Sequence, residues 1–228
     1  MRNGRNAASA ALFCEPLPVP HYFDELPRVA SRPGMVRLKL SDFEADLVSD
    51  RGVFSATRLD PGTAVLLEAG ASKASECNLE GNLLDLGCGY GPVACTVAHR
   101  NPRATVWALD VNRRAVELTG RNAERLGLAN VVAVTPEEVP TAMSFEGIWS
   151  NPPIRAGKPA LQSLLLAWLI RLAGTATARL VVARNLGADS LAEWLAAQGF
   201  EVDRYASKRG YRLLAVHADR RVARGGEL

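Results

Sequence analysis

The chain has 228 residues, of which 48% are hydrophobic and 22% are charged, and its formal net charge at pH 7 is +3. This composition is that of a globular protein with one large domain, or with a domain and a small appendage. The longest apolar run near the middle, residues 164–170, is far shorter than the ~20 residues of a membrane-spanning helix. The four cysteines form no Cys-x-x-Cys pair, which argues against a structural zinc and a disulfide framework. We therefore expect a cytoplasmic protein with no bound metal and no membrane partner.

The two ends of the chain show no hydrophobic periodicity. Residues 1–20 are rich in Ala, Asn and Pro and predict a flexible arm. Residues 219–228 predict a basic tail, since Arg220, Arg221 and Arg224 lie there. Such a tail can track phosphates, but charge alone does not establish a nucleic-acid partner.

Residues 21–60 predict a β-rich extension that precedes the main domain. Apolar and polar residues alternate from Met35 to Leu47, which predicts two short antiparallel strands that turn near Ser41 and Asp42. A loop is expected at residues 52–55. A helix is then predicted over residues 61–74, with Thr63 as its N-cap.

From residue 83 onward, strand and helix signals alternate. Strands are predicted at residues 83–86, 105–109, 131–134, 145–150 and 180–183. Helices are predicted from Pro92, from 112 to 126 with Asn112 as N-cap, from 161 to 172 with an end at Gly174, and before Gly199. The last two strands, 200–205 and 211–217, are too close for a crossover helix and predict an antiparallel hairpin. Residues 61–218 thus predict an α/β domain with a mostly parallel seven-stranded sheet, one antiparallel strand and helices on both faces.

A glycine loop follows the first predicted strand of this domain. It reads Asp-Leu-Gly-Cys-Gly-Tyr-Gly over residues 85–91, and Asp110 ends the next strand. In open α/β sheets, ligands bind at the carboxyl ends of the strands, where glycines let the backbone approach closely. Asp110 is placed to accept hydrogen bonds from the hydroxyls of a ribose. The loop therefore predicts a site for a nucleoside-bearing cofactor.

The charge of the loop favours one cofactor class. Dinucleotide sites usually carry Gly-x-Gly-x-x-Gly and place a pyrophosphate on the helix N-terminus, whereas this spacing is Gly-x-Gly-x-Gly behind Asp85. A carboxylate there would repel a pyrophosphate but would suit the cationic amino-acid part of S-adenosylmethionine. S-adenosylmethionine is therefore predicted over NAD, and a nicotinamide oxidoreductase is the competing enzyme class.

An Asn-Pro-Pro-Ile sequence ends a later strand, at Asn151, Pro152, Pro153 and Ile154. The prolines stiffen the backbone and withhold two N–H groups, so that the Asn151 side-chain oxygen and the Pro152 carbonyl are the expected acceptors. Two acceptors can hold the hydrogens of an –NH2 group and favour the pyramidal nitrogen that develops during attack on a methyl group. The pattern predicts methyl transfer to a planar nitrogen, with a nucleic-acid base or a protein amide as the target.

These motifs resemble the class I S-adenosylmethionine-dependent methyltransferases. More narrowly, the chain is similar to the short form of the small-subunit ribosomal RNA guanine-N2 methyltransferase family over residues 21–217. The resemblance rests on the glycine loop, Asp110, residues 151–158 (Asn-Pro-Pro-Ile-Arg-Ala-Gly-Lys), His21-Tyr22-Phe23, Gly52-Val53-Phe54-Ser55, Leu59-Asp60 and Gly62. It implies a Rossmann-like fold, S-adenosylmethionine as cofactor, and ribosomal RNA or the small ribosomal subunit as partner. The oligomeric state stays open between monomer and dimer.

The resemblance also implies roles for residues. The cofactor would contact Asp85, Gly87, Cys88, Gly89, Gly91, Asp110, Val111 and Asn151, and the target amine would contact residues 151–154. Phe54 and Ser55 would lie near the target. Arg155 and Lys158 would meet RNA phosphate, although both are equally compatible with plain surface charges.

Two departures from the family pattern raise questions. Ile154 stands where related enzymes often have Tyr or Phe to stack on the base, so orientation of the base would fall to Phe54 or Arg155. The acid that commonly contacts adenine after the third strand is replaced by Thr135-Pro136-Glu137, and Glu137 is the expected substitute. Guanine-N2 in small-subunit rRNA is the predicted target. Glutamine-N5 of a protein, adenine-N6, and an RNA-binding protein without turnover are the alternatives.

Overall fold

The computed structural model describes residues 27, 29–71 and 76–218. The predicted arm (1–20) and basic tail (219–228) lie outside these residues, as does the His21-Tyr22-Phe23 segment. Within the described part, no helix is long and apolar enough to cross a membrane.

An antiparallel hairpin precedes the main sheet, as the alternation of residues 35–47 predicted. Strands β1 (Gly34–Lys39) and β2 (Glu44–Ser49) pair in register from Gly34 opposite Ser49 to Lys39 opposite Glu44. Val36, Leu38 and Leu47 are buried in the same core as β3 and the helices that cover it, described below. The hairpin therefore packs directly on the larger sheet.

The main sheet has seven strands in the order β5-β4-β3-β6-β7-β9-β8. In chain order they are β3 (Gly81–Leu86), β4 (Ala104–Leu109), β5 (Val131–Val134), β6 (Phe145–Ser150), β7 (Leu172–Ala183), β8 (Glu201–Lys208) and β9 (Tyr211–His217). Strands β3 to β7 pair in parallel, and β9 runs antiparallel between β7 and β8. The predicted sheet with one reversed strand is confirmed.

Among the described residues, five α-helices cover the two faces of the sheet. They are α1 (Pro61–Ala71), α2 (Pro92–Arg100), α3 (Arg113–Arg125), α4 (Lys158–Leu169) and α5 (Ala188–Ala197). Helices α1, α2 and α3 share one core cluster with the hairpin, whereas α4 and α5 share the cluster on the other face. The order of strands reverses between β3 and β6, and such a switch point opens a crevice at the carboxyl ends of the strands.

Two predictions about helix ends are wrong. Asp60, not Thr63, caps α1, because its Oδ2 accepts the Thr63 N–H at 2.9 Å while its carbonyl accepts the Ala64 N–H. Helix α4 ends at Leu169, and Leu172 and Gly174 belong to β7. Leu172 lies opposite Phe145 in the sheet and packs in the same core as α4. Its position in the chain happens to fit the helical spacing of the preceding leucines, so the sequence pattern assigned it to the helix.

Candidate active site

A cleft with a volume of about 440 Å³ lies at the switch point. Its walls come from the ends of several strands and from the loops that follow them. Its lining includes Phe54, Asp60, Gly87, Asp110, Val111, Asn151, Pro152, Pro153, Ile154, Arg155 and Tyr211. A cleft of this size and mixed lining suits a nucleoside-sized ligand.

The glycine loop between β3 and α2 forms the floor of the cleft. The Gly87 and Cys88 N–H groups both donate to the Leu109 carbonyl, at 2.8 and 2.9 Å, which anchors the loop to the end of β4. Gly87 and Gly89 have φ values of +84° and +58°, and a Cβ at either position would meet no atom within 4 Å. Their bare backbone faces open space, which is the geometry of a cradle for a ligand.

Gly91 serves packing and not ligand approach. Its φ is +94°, and a Cβ would lie 3.0–3.3 Å from three atoms of Thr119 on α3. The three glycines that the sequence placed in the site therefore divide into two that face the cleft and one that lets α2 and α3 approach. Cys88 is buried beside them, and burial raises the pKa of its thiol well above the usual value.

Asp110 holds the loop and still faces the cleft. Its Oδ2 accepts the Gly89 N–H at 3.0 Å, and its Oδ1 accepts the Asn112 N–H at 3.0 Å. Burial raises the pKa of Asp110, and the hydrogen bonds from Asn112 and Gly89 oppose that shift. Two carboxylate oxygens have about four acceptor sites, so lone pairs remain for hydroxyls of a ligand.

Asp85 occupies a different place from the one expected of a direct cofactor contact. It is 2% exposed and lines neither described cavity of the site, and its Oδ2 accepts the Ala94 N–H of α2 at 2.9 Å. Burial raises its pKa to about 8, the Ala94 hydrogen bond lowers it, and the charge of Asp110 raises it further. Asp85 thus supports the loop from beneath.

Asn151 follows the last residue of β6 and is held in one orientation. Its Nδ2 donates to Asp60 Oδ2 at 2.8 Å and to Thr63 Oγ1 at 3.1 Å. An ionised carboxylate only accepts, so the amide nitrogen must face Asp60, and Oδ1 lies on the other side of the carboxamide. Asn151 lines the cleft as well as the small cavity against the glycine loop. The predicted acceptor is therefore fixed beside the loop.

The Pro152 carbonyl is not the free acceptor that was predicted. It accepts the Ile154 N–H at 2.8 Å, and Pro153 at φ −76° and ψ 72° is the centre of an inverse γ-turn. The tight turn forms because Pro153 has its φ fixed near this value. A second lone pair on that carbonyl oxygen is left for a ligand.

The other predicted site residues divide into two groups. Phe54, Val111, Ile154 and Arg155 line the large cleft, and Ser55 lines the small cavity beside the loop. Glu137 does not reach the cleft: it is exposed and lies 3.9 Å from Arg113. Lys158 is exposed at the start of α4 and does not line the cleft either.

Sequence reasoning missed several residues of the site, among them Asp60, Thr63, Asn112 and Tyr211. Asn112 was predicted only as the cap of α3, a role that its bond from the Arg114 N–H confirms. Its Nδ2 also donates to the Gly52 carbonyl at 2.7 Å, while its backbone N–H donates to Asp110. Asn112 thus connects the loop at residues 52–55 to Asp110. The Asp-Pro pair at 60–61 was a usable signal, because Asp before a proline at the first helical position is a strong cap pattern.

Together, the switch-point cleft, the open glycine loop, an acid at the end of β4 and Asn-Pro-Pro at the end of β6 define a Rossmann-like methyltransferase. The chain belongs to the methyltransferase small domain family, whose sequence model matches residues 44–215. The predicted class of enzyme is confirmed by that match.

Two known proteins are similar in sequence to this chain. The chain is 34% identical over 197 residues to the uncharacterized protein YbxB of Bacillus subtilis (strain 168), covering 85% of this chain and 96% of that protein. It is 36% identical over 124 residues to ribosomal RNA small subunit methyltransferase C of Aeromonas hydrophila, covering 54% of this chain but only 34% of that protein.

Among solved structures, the fold is similar to the 16S rRNA N2 methyltransferase of T. thermophilus, solved in complex with AdoMet and guanosine. The TM-score is 0.67 at 23% identity, over 84% of this chain and 52% of that one. This chain therefore spans about half of the solved structure and about a third of the Aeromonas relative.

Proposed function

We propose that this protein is an S-adenosylmethionine-dependent N-methyltransferase that acts on the exocyclic N2 amine of a guanine in small-subunit ribosomal RNA. One observation carries the proposal: Asp60 and Thr63 hold the Asn151 carboxamide, which leaves its oxygen as an acceptor beside the glycine loop. The names of the Aeromonas relative and the T. thermophilus structure support the RNA target.

The residues of the cleft fit the cofactor. The bare Gly87 and Gly89 backbone gives it a close approach, and Asp110 has lone pairs for ribose hydroxyls. Val111 is 38% exposed and lines the cleft next to Asp110, where an apolar surface suits the face of an adenine ring. The buried carboxyl of Asp85 lies under the same loop and favours a cationic ligand over a pyrophosphate.

The residues at the Asn-Pro-Pro turn orient the amine. Asn151 Oδ1 and the second lone pair of the Pro152 carbonyl accept its two hydrogens, which directs the nitrogen lone pair toward the glycine loop. S-adenosylmethionine, held by the glycine loop and Asp110, would supply an electrophilic methyl group with a neutral thioether as its leaving group, and the methylated nitrogen would lose its extra proton to solvent. Asp60 acts through Asn151 by preventing rotation of the carboxamide, so that little reorganisation is needed.

The rim of the cleft favours a polyanion over a protein substrate. Arg155 lines the cleft, and three further cations lie within two residues of a lining residue in the chain: Arg58, Lys158 and Arg184. All are exposed, and none forms an ion pair with a carboxylate within the described part of the chain. Unpaired cations around an opening can neutralise the phosphates that flank a target nucleotide.

The test is methyl transfer from labelled S-adenosylmethionine to small-subunit rRNA, followed by mass mapping of the nucleosides. We expect N2-methylguanosine with the native protein. Asn151→Ala should lower kcat by roughly 100-fold or more, the usual effect of losing one preorganised group at the reacting centre. Asn82 lies near the amino end of β3, at the end of the strands opposite the cleft. Asn82→Ala is therefore the matched control and should leave kcat unchanged.

Each alternative predicts a different product. Methylated adenine would move the target to adenine-N6, and label on a glutamine-containing peptide but not on RNA would favour the protein amide. RNA binding without transfer by the native protein, unaffected by Asn151→Ala, would favour a binding protein that has lost turnover.

A further inference from the structure

Tyr211 differs from the other cleft residues because it comes from the start of an antiparallel strand. Parallel strands bring their last residues to the carboxyl edge of the sheet, whereas β9 is antiparallel and brings its first residue there. Tyr211 is that first residue and lies opposite Ala183, the last residue of β7. It therefore lines the cleft together with Asn151 and Ile154.

The aromatic ring of Tyr211 rests against the first turn of α1. A Cβ on Gly62 would lie 2.8 Å from Tyr211 Cε1 and 3.1 Å from Cδ1, so the ring occupies the space that a side chain at 62 would fill. The same Cβ would lie 2.9 Å from Asp60 Oδ2, the atom that holds Asn151. Gly62 thus lets the ring stand next to the carboxyl group that orients the acceptor.

Nearby charges act on the phenol of Tyr211. The pKa of Tyr211 is raised by partial burial and by the negative charge of Asp60, while Arg58 lowers it. The phenol therefore stays neutral near pH 7 and keeps its hydroxyl as a donor. One side of the ring packs against Gly62, and the residue is half-buried in the cleft that Asn151 also lines.

We propose that Tyr211 supplies the aromatic face on which the target base stacks, in place of the aromatic residue that Ile154 does not provide. The inference rests on the proposed function and adds that the substrate is a planar ring, read by stacking next to the Asn151 acceptor. Bases stack on aromatic side chains whatever their identity, so the residue selects a ring over an open-chain amide while Asn151 selects the amine. Tyr211 binds the base and has no role in proton transfer.

The experiment compares Tyr211→Phe with Tyr211→Leu. An RNA oligonucleotide with 2-aminopurine at the target position reports stacking directly, because its fluorescence is quenched when its ring stacks. It also carries an amine at the position equivalent to guanine N2. With S-adenosylhomocysteine present, the native protein and Tyr211→Phe should quench it, and Tyr211→Leu should lose the quenching and bind the oligonucleotide roughly 10-fold more weakly.

Steady-state kinetics give the second measurement. Since stacking contributes to ground-state and transition-state binding alike, Tyr211→Leu should raise KM roughly 10-fold with little change in kcat, and Tyr211→Phe should leave both near native values. Thermal unfolding and S-adenosylhomocysteine affinity serve as controls, and both should be close to native in the two variants. A role limited to packing on Gly62 would change unfolding without changing the ratio of KM to kcat.

The two proposals fail in different ways. If the native protein methylates guanine and Tyr211→Leu keeps native quenching and KM, the stacking inference is overturned and the proposed function stands. If the native protein quenches 2-aminopurine but methylates no guanine, the proposed function fails and stacking stands. Loss of quenching in Tyr211→Phe as well would assign the effect to the hydroxyl and overturn the stacking inference.

Discussion

Two carboxylates hold the glycine loop, the buried Asp85 and the half-buried Asp110, and they differ in what they face. Asp110 accepts backbone N–H groups at the surface of the cleft, whereas Asp85 is enclosed and has the Ala94 N–H as its described hydrogen-bond donor. Burial without a cation favours the neutral form of a carboxyl group, which explains why the pKa of Asp85 is raised to about 8. Below that pH the Asp85 carboxyl of the free protein is therefore mostly protonated, and a cationic ligand close to it would favour its ionised form.

The stability of Asp85→Asn should depend on pH differently from that of the native protein. The folded pKa is raised, so native stability is unaffected below the unfolded pKa near 4 and falls as the pH rises from there toward about 8. Relative to the variant, native unfolding free energy should decrease by about 1.4 kcal/mol per pH unit within that window. Urea denaturation of both proteins at pH 5, 6 and 7 measures the difference.

This comparison contains its own control. Asn at position 85 can still accept the Ala94 N–H, and the raised pKa of Asp110 affects both proteins alike. The difference in slope therefore isolates Asp85. Parallel stability curves would mean that Asp85 is ionised in the folded protein without penalty.

Single residues also mark the limit of what the sequence could predict about the site. Gly87, Gly89, Asp110 and Asn151 were found because each is attached to a recognisable strand end. Glu137 was placed in the cleft by its position in the chain alone, and the side chain points to Arg113 instead. Asp60 was overlooked as a partner of Asn151 because a contact across 91 residues leaves no local pattern.

At the scale of elements, one side chain joins the hairpin to the methyltransferase fold. Asn122 of α3 accepts the Val48 N–H through Oδ1 and donates through Nδ2 to the Val48 carbonyl, both at 2.8 Å. It thereby pairs with β2 as a neighbouring strand would. Its Nδ2 also donates to the Tyr90 carbonyl at 2.8 Å, so the hairpin, α3 and the glycine loop meet at one carboxamide.

Asn122→Leu should destabilise the protein far more than an ordinary polar substitution. The change keeps the size of the side chain but leaves one N–H and two carbonyl groups without their partner in a site that is 1% exposed. Each unpaired buried group costs about 1–3 kcal/mol, so a loss of about 3 kcal/mol or more is expected. Chemical denaturation measures it, and amide exchange at Val48 should accelerate.

A matched substitution is Asn82→Leu, where a less buried carboxamide accepts a single bond from Trp107 Nε1. Its cost should stay near 1 kcal/mol, the net value of one hydrogen bond. Equal losses in the two variants would show that Asn122 fills space and does not brace the hairpin.

Elements were predicted best where periodicity and boundary residues agree. Asn112, Pro92 and Gly127 stand at the ends of α2 and α3 as expected, and the strands of the parallel sheet fall within a few residues of their predictions. Only the last four residues of strand β7 were predicted, because the Ala-Gly-Thr-Ala-Thr sequence near its start shows no apolar alternation. Its pairing with β6 and β9 stabilises this stretch, and pairing partners are not visible in a local window.

For the whole molecule, the distribution of charge matters more than its sum. The net charge of +3 is mild, and many described cations are paired, as Lys208 and Arg209 are with Glu68. Arg155 in the cleft and Arg58, Lys158 and Arg184, each within two residues of a lining residue in the chain, are among the exposed cations that form no described ion pair. Unpaired cations in and near the cleft make it attractive to a polyanion even though the protein as a whole is only weakly basic.

RNA affinity should therefore depend on salt through the rim. For single-stranded RNA, each phosphate contact contributes about 0.7 to the slope of log K against log salt concentration, so Arg155→Gln and Arg184→Gln should each reduce that slope by roughly 0.7. Arg121→Gln on α3 is the control, because Arg121 is also exposed and without a described ion pair but lies away from the cleft. Fluorescence anisotropy of a labelled oligonucleotide at 50 to 200 mM salt would measure the slopes. Guanosine carries no phosphate, so its affinity should be the same in all four proteins. Equal slopes in the native protein and both rim variants would show that Arg155 and Arg184 do not contact RNA phosphates.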